Sequence, residues 1–224
     1  HPKLIQAIKD QADSLCFVTN QWGAKIRRQL AERLLAVSGF TGGRVFFILG
    51  GTDANEHAIK IARLASGNSN GKIIAKQRSY HGASYFAMAL SGDSRTQQYV
   101  DANAMGIYHV PAPFAYRCPY NSINEVQCAE FAANAIKEKI NELGEKNVSA
   151  VLMEPNAGTN GIVPPDNYWP AIREITKEHN VTLIADEVMS GFGRCGEWFA
   201  WQKHGFENAP DIITCAKGLT GAAL

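Results

Sequence analysis

The stretch "VTLIADE" (residues 181–187) decides the fold: Leu183, Ile184 and Ala185 run without polar interruption and stop at two carboxylates, Asp186 and Glu187. A strand with one wet face alternates apolar and polar residues. An unbroken apolar run of strand length is buried on both faces, as in a parallel sheet covered by helices. Working outward, a helical pattern from about Trp169 to His179 precedes it, and "VSAVLME" (148–154) is a similar run before an irregular "PNAGTNGIVPP" (155–165). "RVFFIL" (44–49), "KIIAK" (72–76), "GIYHVP" (106–111) and "DIITCA" (211–216) read as further strands, the first of them buried on both faces. Between them lie helical stripes. Ile26, Leu30, Leu34 and Val37 form one, stopped by Gly39. Ala54, Ala58, Ile61 and Ala65 form a second, after Gly50-Gly51-Thr52 and before Gly67. Val126, Ala133, Ile136, Ile140 and Leu143 form a third, before Gly144. Strands separated by helices predict an α/β fold, a mostly parallel sheet flanked by helices.

Composition narrows the function classes. The 22 basic and 21 acidic residues nearly cancel, and no basic block stands out, which argues against a nucleic-acid or anionic-membrane surface. No apolar stretch approaches the roughly 20 residues of a membrane span. Cys16, Cys118, Cys128, Cys195 and Cys215 are odd in number and lack a C-x-x-C pair. They read as free thiols in a reducing cytoplasm, with no zinc frame and no other metal site expected.

In parallel α/β sheets ligands gather at the carboxyl ends of the strands. Four places there carry chemistry, and each alone has a structural explanation. Gly51-Thr52-Asp53 joins a predicted strand to a helix start, where free N–H groups bind a phosphate or where Thr52 merely caps the helix. "SYHG" (79–82) offers Tyr80 and His81, an aromatic and an imidazole that equally well pack and hydrogen-bond. Asp186 and Glu187 are a possible magnesium site only if a phosphate loop accompanies them. The nearest candidate, "GNSNGKI" (67–73), has the wrong spacing and Ile73 in place of Ser or Thr. No G-x-S-x-G occurs, and no Ser–His–Asp spacing suggests a hydrolase. Lys217 ends an apolar strand and meets Gly218; a lysine there either snorkels to water or is kept as a nucleophilic amine. Together a phosphate cradle, a stacking aromatic, a carboxylate and an amine suit pyridoxal 5'-phosphate.

These residues resemble the class III aminotransferases, fold-type I pyridoxal-phosphate enzymes. The resemblance runs through "HPKLIQAIKDQ", "GGTDANEHAIKIAR", "SYHGAS", "LMEPNAGTNGIVPP", "IADEVMSGFGRCGEWFA" and "PDIITCAKGL". It implies that Lys217 bonds the cofactor aldehyde and shuttles the substrate proton, and that Asp186 pairs with the pyridine nitrogen. Val188 would pack on one ring face and Tyr80 on the other, while Gly51 and Thr52 bind the phosphate. Glu154 matches a glutamate that in some members pairs with an arginine and swings away for dicarboxylate substrates. "PNAGTNG", where "PVQGEGG" is commoner, looks more like the taurine and β-alanine transaminases. The implied reaction passes an amino group from an ω-amino acid or amine to a 2-oxo acid such as pyruvate or 2-oxoglutarate. The alternatives are an aminomutase or decarboxylase of the same fold, or a non-catalytic scaffold derived from it.

The resemblance also implies a cytoplasmic homodimer about twice this length, with a smaller domain built from both chain ends. On that basis residues 1–30 lead into a large cofactor-binding domain, 31–224, which stops just past Lys217. The C-terminal small domain and its carboxylate-binding arginine are expected to lie outside this sequence, and the 224-residue chain alone is expected to be inactive.

Overall fold

The computed structural model describes residues 1–19 and 21–221. The chain forms two compact units, His1–Phe47 and Ile48–Leu224. The first holds helices α1 (Pro2–Ser14) and α2 (Lys25–Ser38). Gly39 ends α2 in the left-handed region at φ 73°, a conformation glycine adopts without a Cβ penalty. Ile26, expected on the inward stripe of α2, is 56% exposed, and Leu34 is the apolar residue that α2 buries.

The second unit carries the sheet. Its strands are β1 (Lys72–Lys76), β2 (Ile107–Val110), β3 (Val148–Met153), β4 (Thr182–Asp186) and β5 (Ile212–Thr214). All pair in parallel, in the order β2-β1-β3-β4-β5. The helices are α3 (Gly51–Ala65), α4 (Tyr85–Leu90), α5 (Ser94–Gln97), α6 (Glu125–Leu143) and α7 (Tyr168–Glu178). Every residue of β3 is buried, as its unbroken apolar run requires. Ile73 and Ile107, Leu152, and Ile184 bring β1–β4 into one core with Ala58, Ile59 and Ala62 of α3. Among the described residues no helix is long and apolar enough to cross a membrane.

Three further expectations need correction. "RVFFIL" (44–49) is not a strand: no described strand pairs with it, Phe46 is 57% exposed and Leu49 is 95% exposed. Apolar composition favours burial but does not by itself supply a ladder partner for the backbone. The inward face of α3 is Asn55, Ala58, Ile59 and Ala62, while Ile61 is half out; the stripe is rotated by about one residue, because Ala54 and Ala65 are too small to fix the phase. Val126, in the first turn of α6, is likewise exposed, whereas Ala133, Ile136, Ile140 and Leu143 are buried as expected.

Candidate functional site

Because the strands are parallel, Lys76, Met153, Asp186 and Thr214 end at the same side of the sheet. The segments that follow them share one region. Its centre is Asp186. Successive strand residues point to opposite faces, and Asp186 and Glu187 separate accordingly. Glu187 turns away, taking the N–H of Trp201 at 2.9 Å and the hydroxyl of Ser190 at 2.5 Å. Burial pushes its carboxyl above the ordinary range, against those two hydrogen bonds.

Asp186 faces α3. Its Oδ2 accepts Asn55 Nδ2–H at 2.8 Å and lies 2.7 Å from His81 Nδ1, and its Oδ1 accepts the N–H of Val188 at 3.0 Å. A carboxylate accepts only, so His81 carries a proton on Nδ1. His81 Nε2 is buried with no partner among the described residues. Asn55 Nδ2 also donates to the carbonyl of His81 at 2.9 Å, and its Oδ1 accepts the Thr214 hydroxyl at 2.7 Å. One amide thus binds the ends of β4 and β5 and the segment after β1 to the first turn of α3.

The start of α3 lies in the same place. A Cβ on Gly51 would come within 2.7 Å of Val188 Cγ1, and one on Gly82 within 2.5 Å of Thr52 Oγ1. These glycines let the 51–52 turn, the 81–82 turn and Val188 approach one another. Gly50 opens α3 with no side-chain cap among the described residues, so the first-turn N–H groups are available to an anion.

A second buried pair flanks this node. Lys76, wholly buried at the end of β1, donates to the Glu154 carbonyl at 2.9 Å and lies 3.6 Å from Glu154 Oε2. The backbone at Tyr80 favours the charged form of the Glu154 carboxyl. Burial raises the Glu154 carboxyl and lowers the Lys76 ammonium, each offset in part by the other's charge.

The structure therefore brings Asp186, Val188, Gly51 and Thr52 together, with half-buried Tyr80 next in the chain to His81. Lys217 differs from its expected setting. β5 ends at Thr214, and Lys217 opens a 3-10 turn at φ 38°, with its side chain exposed. A positive φ on a residue with a Cβ is strained by about 1–3 kcal/mol. Gly218 behind it lies against Phe192, where an added Cβ would be 2.8 Å from Phe192 Cβ and 3.2 Å from the ring. A strand gives a residue a flat extended backbone; the turn instead carries the amine off the end of β5.

Asn55, Lys76 and Thr214 were not singled out from the sequence. A signal existed for two of them. Asn55 is a polar residue one turn into a largely apolar helix, and Lys76 ends an apolar strand, the setting expected of Lys217.

Comparison with known proteins agrees with this architecture. The class-III aminotransferase family profile matches residues 1–224. The chain is 38% identical over 197 residues to a putrescine–pyruvate aminotransferase of Pseudomonas aeruginosa, covering 86% of this chain and 42% of that protein. It is 35% identical over 225 residues to a leucine/methionine racemase of Thermococcus litoralis, covering 98% and 49%. Among solved structures it is similar to a taurine:2-oxoglutarate aminotransferase of Bifidobacterium kashiwanohense in complex with PLP and glutamate. That match has a TM-score of 0.90 and 36% identity over 100% of this chain and 50% of that one. The chain spans about half the length of the curated relatives it matches.

Proposed function

Because this chain belongs to the class III aminotransferase family, we propose that the whole protein is a pyridoxal-phosphate-dependent transaminase. Its donor would be an ω-amino acid or amine of the taurine or β-alanine kind, and its acceptor a 2-oxo acid such as pyruvate or 2-oxoglutarate. The observation that carries the reading is the Asp186 node. A buried carboxylate is held by three donors beside an uncapped helix start, which are an anionic and a cationic recognition element within one small region.

The residues fit the cofactor. Asp186 Oδ1 uses one of its two acceptor sites on the Val188 N–H, which leaves one for a protonated ring nitrogen. Gly51 and Thr52 present the α3 N-terminus to a phosphate. Bound there, pyridoxal phosphate supplies an electron-accepting ring that makes the donor carbon acidic. The chain's own contributions are binding and proton movement. Asp186 would keep a proton at the ring nitrogen, and Asn55 and His81 would keep Asp186 from rotating. Val188 and Tyr80 would confine the ring between them. Lys217 would hold the cofactor through Nζ and carry the proton that leaves the donor carbon.

A second reading, a reaction without an oxo acceptor, is favoured by the likeness to a racemase. The test is to incubate the full-length protein with pyridoxal phosphate and taurine, β-alanine or putrescine, with and without pyruvate or 2-oxoglutarate. Alanine or glutamate formation that needs both substrates, and is lost in Lys217→Ala, is the expected result. Donor conversion independent of the oxo acid would favour the second reading. A homodimer belongs to the same proposal, and light scattering of the full-length protein tests it.

A further inference from the structure

Thr214 puts a hydroxyl at the end of β5, between Ile213 and Cys215, and it is tied to Asp186 in two ways. In the β4–β5 ladder the two residues are register partners, and the Thr214 carbonyl accepts the N–H of Glu187, the residue after Asp186, at 2.9 Å. The Thr214 side chain is buried, with its Oγ1 2.7 Å from Asn55 Oδ1. The Ala185 carbonyl lies 3.5 Å from the same oxygen, at the outer limit of a hydrogen bond, so the hydroxyl proton goes to Asn55.

Counting protons fixes the amide. Asn55 Nδ2 has two, and it gives one to Asp186 Oδ2 at 2.8 Å and the other to the His81 carbonyl at 2.9 Å. Turned over, the amide would set its oxygen against a carboxylate and a carbonyl, three acceptors with no proton among them. In the observed orientation Oδ1 needs a donor at a buried position, and Thr214 is that donor. A buried acceptor left without a donor costs more than a hydrogen bond typically contributes when made. Hydrogen bonds in a row also polarise one another, so the Thr214 hydroxyl makes Nδ2 a stronger donor to the carboxylate.

We propose that Thr214 is a positioning residue for the cofactor site: through the Asn55 amide, its hydroxyl holds the Asp186 carboxylate in the orientation that takes the ring nitrogen. The proposal rests on the reading of Asp186 given above. Thr214 touches neither cofactor nor substrate and acts through one intervening side chain. It also ties the acid to the strand that leads to the amine, since β5 ends at Thr214 and Lys217 follows three residues later. The nitrogen and the aldehyde-bearing carbon are opposite each other on the pyridine ring. The acid and the amine that meet them therefore need a fixed separation, and Thr214 supplies a link between their strands.

The test is titration of pyridoxal phosphate into cofactor-free full-length protein, followed by the visible absorbance of the bound cofactor. Thr214→Val keeps the shape and removes the donor, and should weaken binding by about three- to tenfold. Thr214→Ser restores the donor and should bind within about twofold of wild type. Ser149→Ala is the control for a generic loss: its hydroxyl is equally buried and lies 2.7 Å from that of Ser66, near the start of β3 and away from the site. It should bind as wild type does. Wild-type protein that gains no visible band would defeat the cofactor reading, and this proposal with it. With wild type binding, equal affinity in Thr214→Val would overturn the proposal alone. So would a loss in Thr214→Ser or Ser149→Ala as large as that in Thr214→Val. Should Thr214→Val not fold, Thr214→Ala against Thr214→Ser makes the same comparison, with the same outcomes deciding it.

Discussion

Asn55, one turn into α3, and Asp186, at the end of β4, are 131 residues apart in the chain and joined by a 2.8 Å hydrogen bond between buried side chains. Asn55 uses both ends of its amide, giving protons to Asp186 and the His81 carbonyl and taking one from Thr214. Asn55→Ala strands three buried partners and should lower unfolding free energy by about 2–4 kcal/mol. Asn55→Asp, nearly identical in shape, puts an acceptor against the Asp186 carboxylate and should cost more at neutral pH than near pH 5, where it can protonate and donate. Urea denaturation of both variants checks this. A loss below about 0.5 kcal/mol in Asn55→Ala would mean that water replaces the amide.

Lys76 and Glu154 form a buried ion pair whose removal is asymmetric with pH. Breaking such a pair from one side typically costs about 3–5 kcal/mol, because the other charge is left unpaired. Lys76→Met leaves Glu154 free to neutralise itself by protonation, and burial already raises its carboxyl. A carboxyl raised in the folded state stabilises below its unfolded pKa, and that contribution is lost as pH rises through the folded value. The Lys76→Met penalty should therefore grow as pH rises above the ordinary carboxylate range. Lys76→Met combined with Glu154→Gln should be less destabilised than the sum of the singles by about 1–3 kcal/mol. Strict additivity in that cycle would show the pair to be uncoupled.

The parallel sheet was legible because its strands are wet on neither face, and β3 and β4 could be nothing else at that length and composition. Asp186 and the 51–52 turn were legible because the carboxyl ends of parallel strands are where ligands sit. What the sequence hid depends on three dimensions. The phase of α3 rests on alanines too small to define a face, so the polar residue at 55 carries no sign of which face it lies on. "RVFFIL" looks like a strand, yet pairing is a property of two segments, and no described strand pairs with it. Lys76 and Lys217 follow similar apolar runs, and nothing in the sequence says that the first is wholly buried and the second exposed.

Gly82 sits at φ 135°, and a Cβ there would lie 2.5 Å from Thr52 Oγ1 and 2.9 Å from Ala87 Cβ. Gly82→Ala combines backbone strain with overlap and should destabilise by roughly 2–4 kcal/mol. Much of the overlap is with one hydroxyl. Adding Thr52→Ala should relieve part of the penalty, so that the double variant is more stable than the two single losses predict. Thermal or urea unfolding of the three variants measures it. Additive losses would place the cost in the backbone alone.

His204, beside the Lys203–Asp166 ion pair of 2.9 Å, gives the chain a pH dependence of defined sign. Burial, and after it the Lys203 charge, lower the imidazole from 6.5 to about 4, with Asp166 opposing. Between those values the unfolded chain binds a proton that the folded chain does not, so stability rises with pH across the window and is lost as pH falls through it. The ring is half-buried, and solvent screening reduces the contribution to about 1 kcal/mol. His204→Gln should remove it, flattening the stability difference between about pH 7 and pH 4.5 relative to wild type. Carboxylates remote from His204 titrate alike in both proteins and cancel in the comparison. Equal pH dependence in the two would place the proton uptake at another group.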